Sequence, residues 1–188
     1  CAHFYEPGLT EVLRKALQDS RLTVSDQLPE SKATYIITIG TPLVDGSVLE
    51  TPIFELLENI CATAAQNALV ILRSTVIVGT TEKLTSLCAS YGRKDIQIAF
   101  CPERTIEGAA LEELKKLPQI VSADDSAVLE RAEELFTIFS GSVVRTVGSK
   151  VGEMAKLAAN VQRDMQFASA NAFASLCAAC GISYSAMA

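Results

Sequence analysis

The sequence predicts an α/β protein with a doubly wound, mostly parallel sheet that lacks its first strands and is followed by a long interdomain helix. Three observations lead there. Short β-branched runs alternate with longer helical patterns, most of the short runs are continuously apolar, and one Ala-rich stretch near the end holds no Pro and a single Gly. Strand and helix alternating at this spacing build βαβ units of the Rossmann-like kind. A strand covered by helices on both faces reads as an unbroken apolar run.

In chain order, the pattern predicts a helix over Gly8–Ser20, a strand at Leu22–Ser25 and a strand at Tyr35–Gly40. A helix over Val48–Gln66 leads to a strand at Ala68–Ser74, then a helix over Thr80–Tyr91 and a strand at Ile96–Cys101. A short helix at Leu111–Lys116, a strand at Gln119–Ser122, a helix over Ser126–Phe139 and a strand at Ser142–Val147 complete the alternation. The last helix covers Lys150–Cys180, with Ser149 placed to cap its start and Gly181 its end. At 1.5 Å per residue it spans on the order of 45 Å, long for a crossover helix. Its many Ala positions let another helix approach closely. It is expected to join two domains or to pack against its copy in a partner chain, dividing the protein into 1–148 and 149–188.

Bulk properties exclude several function classes. The 188 residues are 49% hydrophobic and 20% charged, which argues against disorder. The net charge is −6 and the 16 Lys and Arg are scattered. Nucleic acid or an anionic membrane would want a basic face, so neither is expected as a partner. A nucleotide remains compatible, because one phosphate site needs only a few local donors. Apolar runs such as Ala68–Leu72 and Tyr35–Ile39 are far too short to cross a bilayer. No export segment opens the chain, which begins with Cys1, and the expected compartment is the cytoplasm. Six cysteines, at positions 1, 61, 88, 101, 177 and 180, follow no disulfide framework. Cys177 and Cys180 form a lone CxxC and His3 is the only histidine, so a pair of small core residues is expected there and no metal.

In an open parallel sheet, ligands bind outside the carboxyl ends of the strands. The residues that follow the strands are Thr41-Pro42, then Ser74-Thr75-Val76 with Gly79-Thr80-Thr81, and then Pro102-Glu103-Arg104-Thr105-Ile106-Glu107-Gly108. These clusters should share one edge. Hydroxyls and backbone donors near helix starts can hold phosphate or ribose, and two carboxylates four apart can bind or exchange protons. Each also has a structural reading: a Thr-Pro turn, a Gly-Thr-Thr helix start, a solvated first-turn acid. On the last helix Glu153, Lys156 and Asn160 share a face, which is either functional or a solvated stripe with a Glu–Lys pair. No GxGxxG occurs, so the glycine turn that brings a pyrophosphate to a helix N-terminus is absent.

Taken in order, these clusters resemble the UDP-glucose/GDP-mannose dehydrogenase family. The matching words are Tyr5-Glu6-Pro7-Gly8-Leu9, Gly40-Thr41-Pro42, Ser74-Thr75-Val76, Gly79-Thr80-Thr81-Glu82, Pro102-Glu103-Arg104, Glu107-Gly108 and Gly152-Glu153-Met154-Ala155-Lys156-Leu157 leading to Asn160. The run through Leu117-Pro118-Gln119-Ile120-Val121 is similar to the branch that oxidises UDP-N-acetylhexosamines such as UDP-N-acetylmannosamine.

The resemblance implies oxidation of the C6 alcohol of a UDP-sugar to a carboxylate, with NAD as cofactor used twice. It makes 1–148 part of an NAD-binding domain and 149–188 a central helix that supports a homodimer. It places Thr41, Pro42, Ser74, Thr75 and Val76 along the cofactor and Glu107 near the nicotinamide. Glu103 would serve acid/base work, Lys156 would stabilise negative charge on the C6 oxygen, and Asn160 would place substrate and water. Thr75 counts with the catalytic group as well. A Lys beside carboxylates is expected to stay charged.

The sequence departs from the family in that the Gly-rich first strand–turn–helix, the acidic ribose strand and a second, UDP-binding domain are not found. The family's nucleophilic cysteine lies in Gly-Gly-x-Cys, a context that none of the six cysteines has. Ala172 follows Asn171 where Glu is usual, and Gln162 stands where an aromatic is usual. In the family's strand order two strands would lie between Leu22–Ser25 and Tyr35–Gly40. Without them the latter shows an open edge, so the chain is expected to be part of a longer polypeptide or to have that edge covered by another chain. Two other readings stand beside the enzyme: a non-catalytic remnant kept as a dimerisation module, and a two-domain dehydrogenase of small hydroxy acids.

Overall fold

A computed structural model of the protein describes residues 5–187, so Cys1 and His3 lie outside the described residues. Its elements run α1 (Leu9–Gln18), β1 (Thr34–Ile37), β2 (Leu43–Val44), β3 (Ser47–Val48), α2 (Thr51–Thr63), β4 (Leu69–Leu72) and α3 (Thr80–Ser90). They continue with β5 (Gln97–Phe100), α4 (Ala110–Lys116), β6 (Gln119–Ala123), α5 (Ser126–Thr137), β7 (Val143–Val147), α6 (Ser149–Ala179) and α7 (Tyr184–Met187). The main sheet has the order β1-β4-β5-β6-β7. β1, β4 and β5 are parallel, and so are β6 and β7, but the two groups meet antiparallel through the single pair Phe100↔Ser122.

The apolar runs explain the layers. In β4, Val70 and Leu72 face one core with Ile53, Leu57 and Ile60 of α2 and Leu84 of α3. Leu69 and Ile71 face the other, with Leu129, Ala132 and Phe136 of α5. Alternate side chains of a strand point to opposite faces, so a strand sandwiched between helices must be apolar at every position. Each fully buried Leu or Ile here contributes about 1.5–3 kcal/mol.

Four expectations are corrected. Leu22–Ser25 is irregular rather than a strand, and Val24 is 78% exposed. A strand must hand its N–H and C=O groups to a neighbour, and among the described residues this segment pairs with none and β1 has only β4 beside it. The helix expected from Val48 starts at Thr51, with Pro52 in its first turn. Before it, β2 and β3 form a hairpin around Asp45-Gly46, both at positive φ (51° and 78°), as a type I′ turn requires.

Ser149 does not cap α6 from outside. Gly148 holds the N-cap position, while the Asp124 carboxylate receives Ser149 N–H at 3.0 Å and Ser149 Oγ–H at 2.9 Å. Finally, Cys177 is buried but Cys180 is exposed, because Cys180 sits where α6 ends and the two do not share its packed side. Gly181 does close the helix: at φ 67° its N–H reaches Ala178 O, and Ile182 N–H reaches Cys177 O, the paired bonds of a Schellman end.

α6 crosses the β5–β6 seam at Gly152. A Cβ there would lie 2.0 Å from Ser122 Oγ and 3.1 Å from Phe100 Cδ1, so only glycine allows this approach. Among the described residues, no helix is long and apolar enough to cross a membrane.

Candidate active site

Because β1, β4 and β5 are parallel, the loops that leave them open on one edge of the sheet. Thr41 Oγ1 donates to the backbone carbonyl of Thr75 at 2.5 Å, tying the first loop to the second. Pro42 is exposed beside it, and its carbonyl receives Leu49 N–H at 2.9 Å. Ser74 is buried with its hydroxyl unpartnered among the described residues. The Val76 side chain belongs to the core, so only its backbone can face a ligand.

Beyond Val76 the donors are already taken. Glu50, buried, accepts Ile77 N–H at 2.9 Å and the Thr80 hydroxyl at 2.9 and 3.0 Å. Glu153 is fully buried and accepts Gly79 N–H at 2.6 Å, Thr81 N–H at 2.8 Å and the Thr81 hydroxyl at 2.6 Å. The Gly79-Thr80-Thr81 helix start, read from sequence as a place for phosphate, is therefore filled by the protein's own carboxylates. Glu153 is likewise not part of a solvated stripe. The sequence holds no local signal for its partners, which lie more than seventy residues away.

The loop after β5 is held from several sides. Glu103 Oε2 pairs with Arg73 Nη2 at 2.5 Å, while Oε1 accepts the N–H groups of Arg104 (2.7 Å) and Thr105 (2.9 Å). Burial pushes the Glu103 carboxyl upward. The Thr105 N–H, the Arg73 guanidinium and the Arg104 N–H outweigh it and leave the group below its ordinary value. Held this way, Glu103 favours its ionised form. Glu107 stands exposed in the following turn, where Glu6 accepts Gly108 N–H at 2.8 Å and Leu111 N–H at 3.1 Å.

From α6, Lys156 Nζ donates to the Glu103 carbonyl at 2.7 Å. Lys156 and Asn160 line a cavity of about 330 Å³ with Arg104, Arg163, Ile120 and Val144. Its cations favour an anionic ligand. Burial first and Arg163 second push Lys156 below its ordinary value; Glu103 opposes this, and Arg104 and Arg73 add to it. The expected direction for a lysine beside carboxylates is thus reversed, because burial first and the neighbouring cations second outweigh Glu103.

The structure brings Thr41, Ser74 and Thr75 together at one part of the edge, and Glu103, Lys156 and Asn160 at another. The two parts are linked through Arg73, whose carbonyl accepts Glu103 N–H at 3.4 Å. Arg73 was missed in the sequence because it ends an apolar run like any edge-of-strand residue. The unpartnered Ser74 hydroxyl next to the Thr41–Thr75 bond suits a polar group of a dinucleotide.

Residues 1–140 match the UDP-glucose/GDP-mannose dehydrogenase family, NAD binding domain. The chain is 32% identical to UDP-N-acetyl-D-mannosamine dehydrogenase of Escherichia coli (strain K12), over 96% of this chain and 46% of that protein. It is 31% identical to the enzyme of that name from Methanococcus maripaludis, over 94% of this chain and 42% of that protein. A solved UDP-D-ManNAc dehydrogenase from Pyrococcus horikoshii superposes with a TM-score of 0.91 at 28% identity, covering 99% of this chain and 46% of that one. The chain thus spans less than half the length of the curated relatives it matches. With both sequence and topology in agreement, the chain belongs to the UDP-glucose/GDP-mannose dehydrogenase family, whose NAD-binding domain its residues 1–140 match.

Proposed function

We propose that this chain supplies the NAD-facing and lysine-bearing part of a UDP-sugar 6-dehydrogenase acting on UDP-N-acetylmannosamine or a close analogue. The observation that carries the reading is the Lys156 ammonium seated on the Glu103 loop at a cation-lined cavity. In the overall reaction the C6 alcohol gives two hydrides to two NAD, gains an oxygen from water and releases three protons. NAD, when bound, supplies the hydride acceptor. Residues 1–148 form the cofactor domain, and 149–188 the helix that leads onward and pairs with its copy in a homodimer.

The side chains then divide the work. Lys156 places a positive charge where the C6 oxygen becomes anionic, an interaction stronger in the transition state than in the ground state. Burial lowers its proton affinity, which eases release of a proton. Glu103, ionised, accepts rather than donates protons. Asn160, one turn beyond Lys156, offers a donor and an acceptor to substrate and water. Thr41, Pro42, Ser74, Thr75 and the Val76 backbone line the cofactor, and Glu107 borders the nicotinamide end. The test is to incubate the protein encoded by the complete reading frame with NAD and a panel of UDP-sugars. Two NADH per UDP-N-acetylmannosamine are expected, and no NADH from any UDP-sugar overturns the reading.

The long helix supports the alternative of a dimerisation module in one respect: Val161, Met165, Phe173 and Leu176 stand exposed along one side of it. An apolar surface of this kind marks an interaction face. The same face serves an enzyme that dimerises, so the two readings part only at turnover.

A further inference from the structure

We propose that Arg73 is the positioning residue for Glu103, fixing the carboxylate and its loop so that the Glu103 carbonyl receives Lys156. The proposal rests on the reading of Glu103 and Lys156 as site residues and adds a third, which acts through Glu103.

The geometry forms one chain of contacts across the fold. Arg73 follows β4 directly and its side chain is 9% exposed. Its guanidinium lies 5.0 Å from the centroid of the Phe136 ring on α5, a distance suited to a cation–π contact. Nη2 reaches both Glu103 Oε2 (2.5 Å) and Gln119 Oε1 at the start of β6 (3.4 Å). Gln119 is in turn anchored by donation from Nε2 to Leu117 O at 3.3 Å. Phe136 and Gln119 thus aim the guanidinium, the guanidinium holds Glu103, and the Glu103 loop holds Lys156. Nη1 is buried with no partner among the described residues, so Glu103 is the only carboxylate paired with this cation there.

The charged side chains that bear on Glu103 are Arg73, just after β4, and Lys156 on α6. Both are cationic, but among the described residues only Arg73 pairs with the carboxylate oxygens through a side chain. The two N–H groups on Oε1 come from the loop itself and move with it. Arg104 Nη1 also ties the loop to Pro118 O at 3.0 Å, but the Arg73 side chain is the contact that holds the Glu103 carboxylate itself from outside the loop.

The test compares wild type, Arg73→Gln, Arg73→Lys and Gln119→Ala in the protein from the complete reading frame. The first readout is a ¹³C-carboxyl NMR titration of labelled glutamates, with the Glu103 signal assigned by its loss in Glu103→Gln. Wild-type Glu103 should protonate only in more acid solution than exposed glutamates. In Arg73→Gln it should protonate at about tenfold lower proton concentration than in wild type, with Arg73→Lys between. The second readout is turnover: Arg73→Gln should lower kcat by about tenfold, shift the acid limb of its pH profile upward and leave KM for NAD near wild type. Arg73→Lys, which keeps the charge but loses the fork, should recover part of both.

An unchanged Glu103 titration in Arg73→Gln overturns the proposal, as does an unchanged kcat–pH profile. If Arg73→Gln does not fold, Arg73→Lys and Gln119→Ala decide by the same titration. Absence of turnover in wild type removes the functional reading, while the NMR titration still settles whether Arg73 governs Glu103.

Discussion

Glu153 of α6 and Thr81 of α3 meet in the buried interior: one carboxylate oxygen accepts both the backbone N–H and the hydroxyl of Thr81, at 2.8 and 2.6 Å. The other oxygen takes Gly79 N–H. A carboxylate at the positive end of a helix is well placed electrostatically, and here it comes from a different helix. Through it the start of α6 is fixed to the loop that leaves β4, one turn before Lys156.

Replacing Glu153 with Ala strands two N–H groups and a hydroxyl away from water. Each orphaned buried group costs about 1–3 kcal/mol, so unfolding in urea should show a loss of about 3 kcal/mol or more. Glu153→Gln, which keeps the shape, should lose less. Equal stability of all three proteins would contradict the role of this carboxylate.

Lys156→Ala should cut turnover by about a hundredfold, in line with loss of a fixed charge at a developing oxyanion. Lys156 is half-buried at the cavity wall, so its loss should leave the melting temperature within a few degrees. Near-normal turnover removes it from the mechanism.

Glu103 sits below its ordinary carboxylate value in the folded protein. A group depressed on folding adds stability above its unfolded value and loses it as pH falls through the folded value. Stability should therefore decline on acidification below the ordinary glutamate range. In Glu103→Gln that decline should be shallower, as read from urea midpoints across pH 2–6, a window of about two units on each side of the usual glutamate value.

The buried thiols should be inert. Burial pushes Cys88 up to about 12, helped by its contact with Cys61 at 3.5 Å, and Cys101 is also pushed up to about 12 by burial. The thiolate is the reactive form. At pH 8 a maleimide should label Cys180 rapidly in the native protein and Cys61, Cys88, Cys101 and Cys177 only on unfolding, as peptide mapping will report.

Gly152→Ala forces a Cβ against Ser122, and overpacking of this kind costs about 1–3 kcal/mol. Ser122→Gly removes both atoms that it meets most closely. The double variant should be more stable than the sum of the single losses, which a double-mutant cycle measures.

Much of this architecture was legible from the chain. Unbroken apolar runs marked β4 and β5 because helices cover both their faces, and the Ala-rich, Pro-free stretch marked α6 with its Gly181 end. Leu22–Ser25 has strand composition, yet composition cannot supply a neighbour to bond with. The Asp45-Gly46 hairpin was overlooked although its dipeptide is a strong local signal. At the site, the spacing of Glu153, Lys156 and Asn160 showed that they share a side of a helix. It could not show that Glu153 is buried against α3 while Lys156 reaches the Glu103 loop. Such assignments depend on long-range packing, as does the recruitment of Arg73.

The reversed direction of β6 and β7 has a mechanical consequence. It sends α6 past Phe100 toward the loops and beyond them, instead of back along the sheet, with its close approach to the sheet at Gly152. At 1.5 Å per residue, Lys156 lies about 6 Å from that point and Ala179 about 40 Å. A tilt of roughly 5° about Gly152 would swing the far end by about 3.5 Å but displace the base of Lys156 by only about 0.5 Å. Lys156, so near that point, would keep its place on the Glu103 loop while the distal end moved.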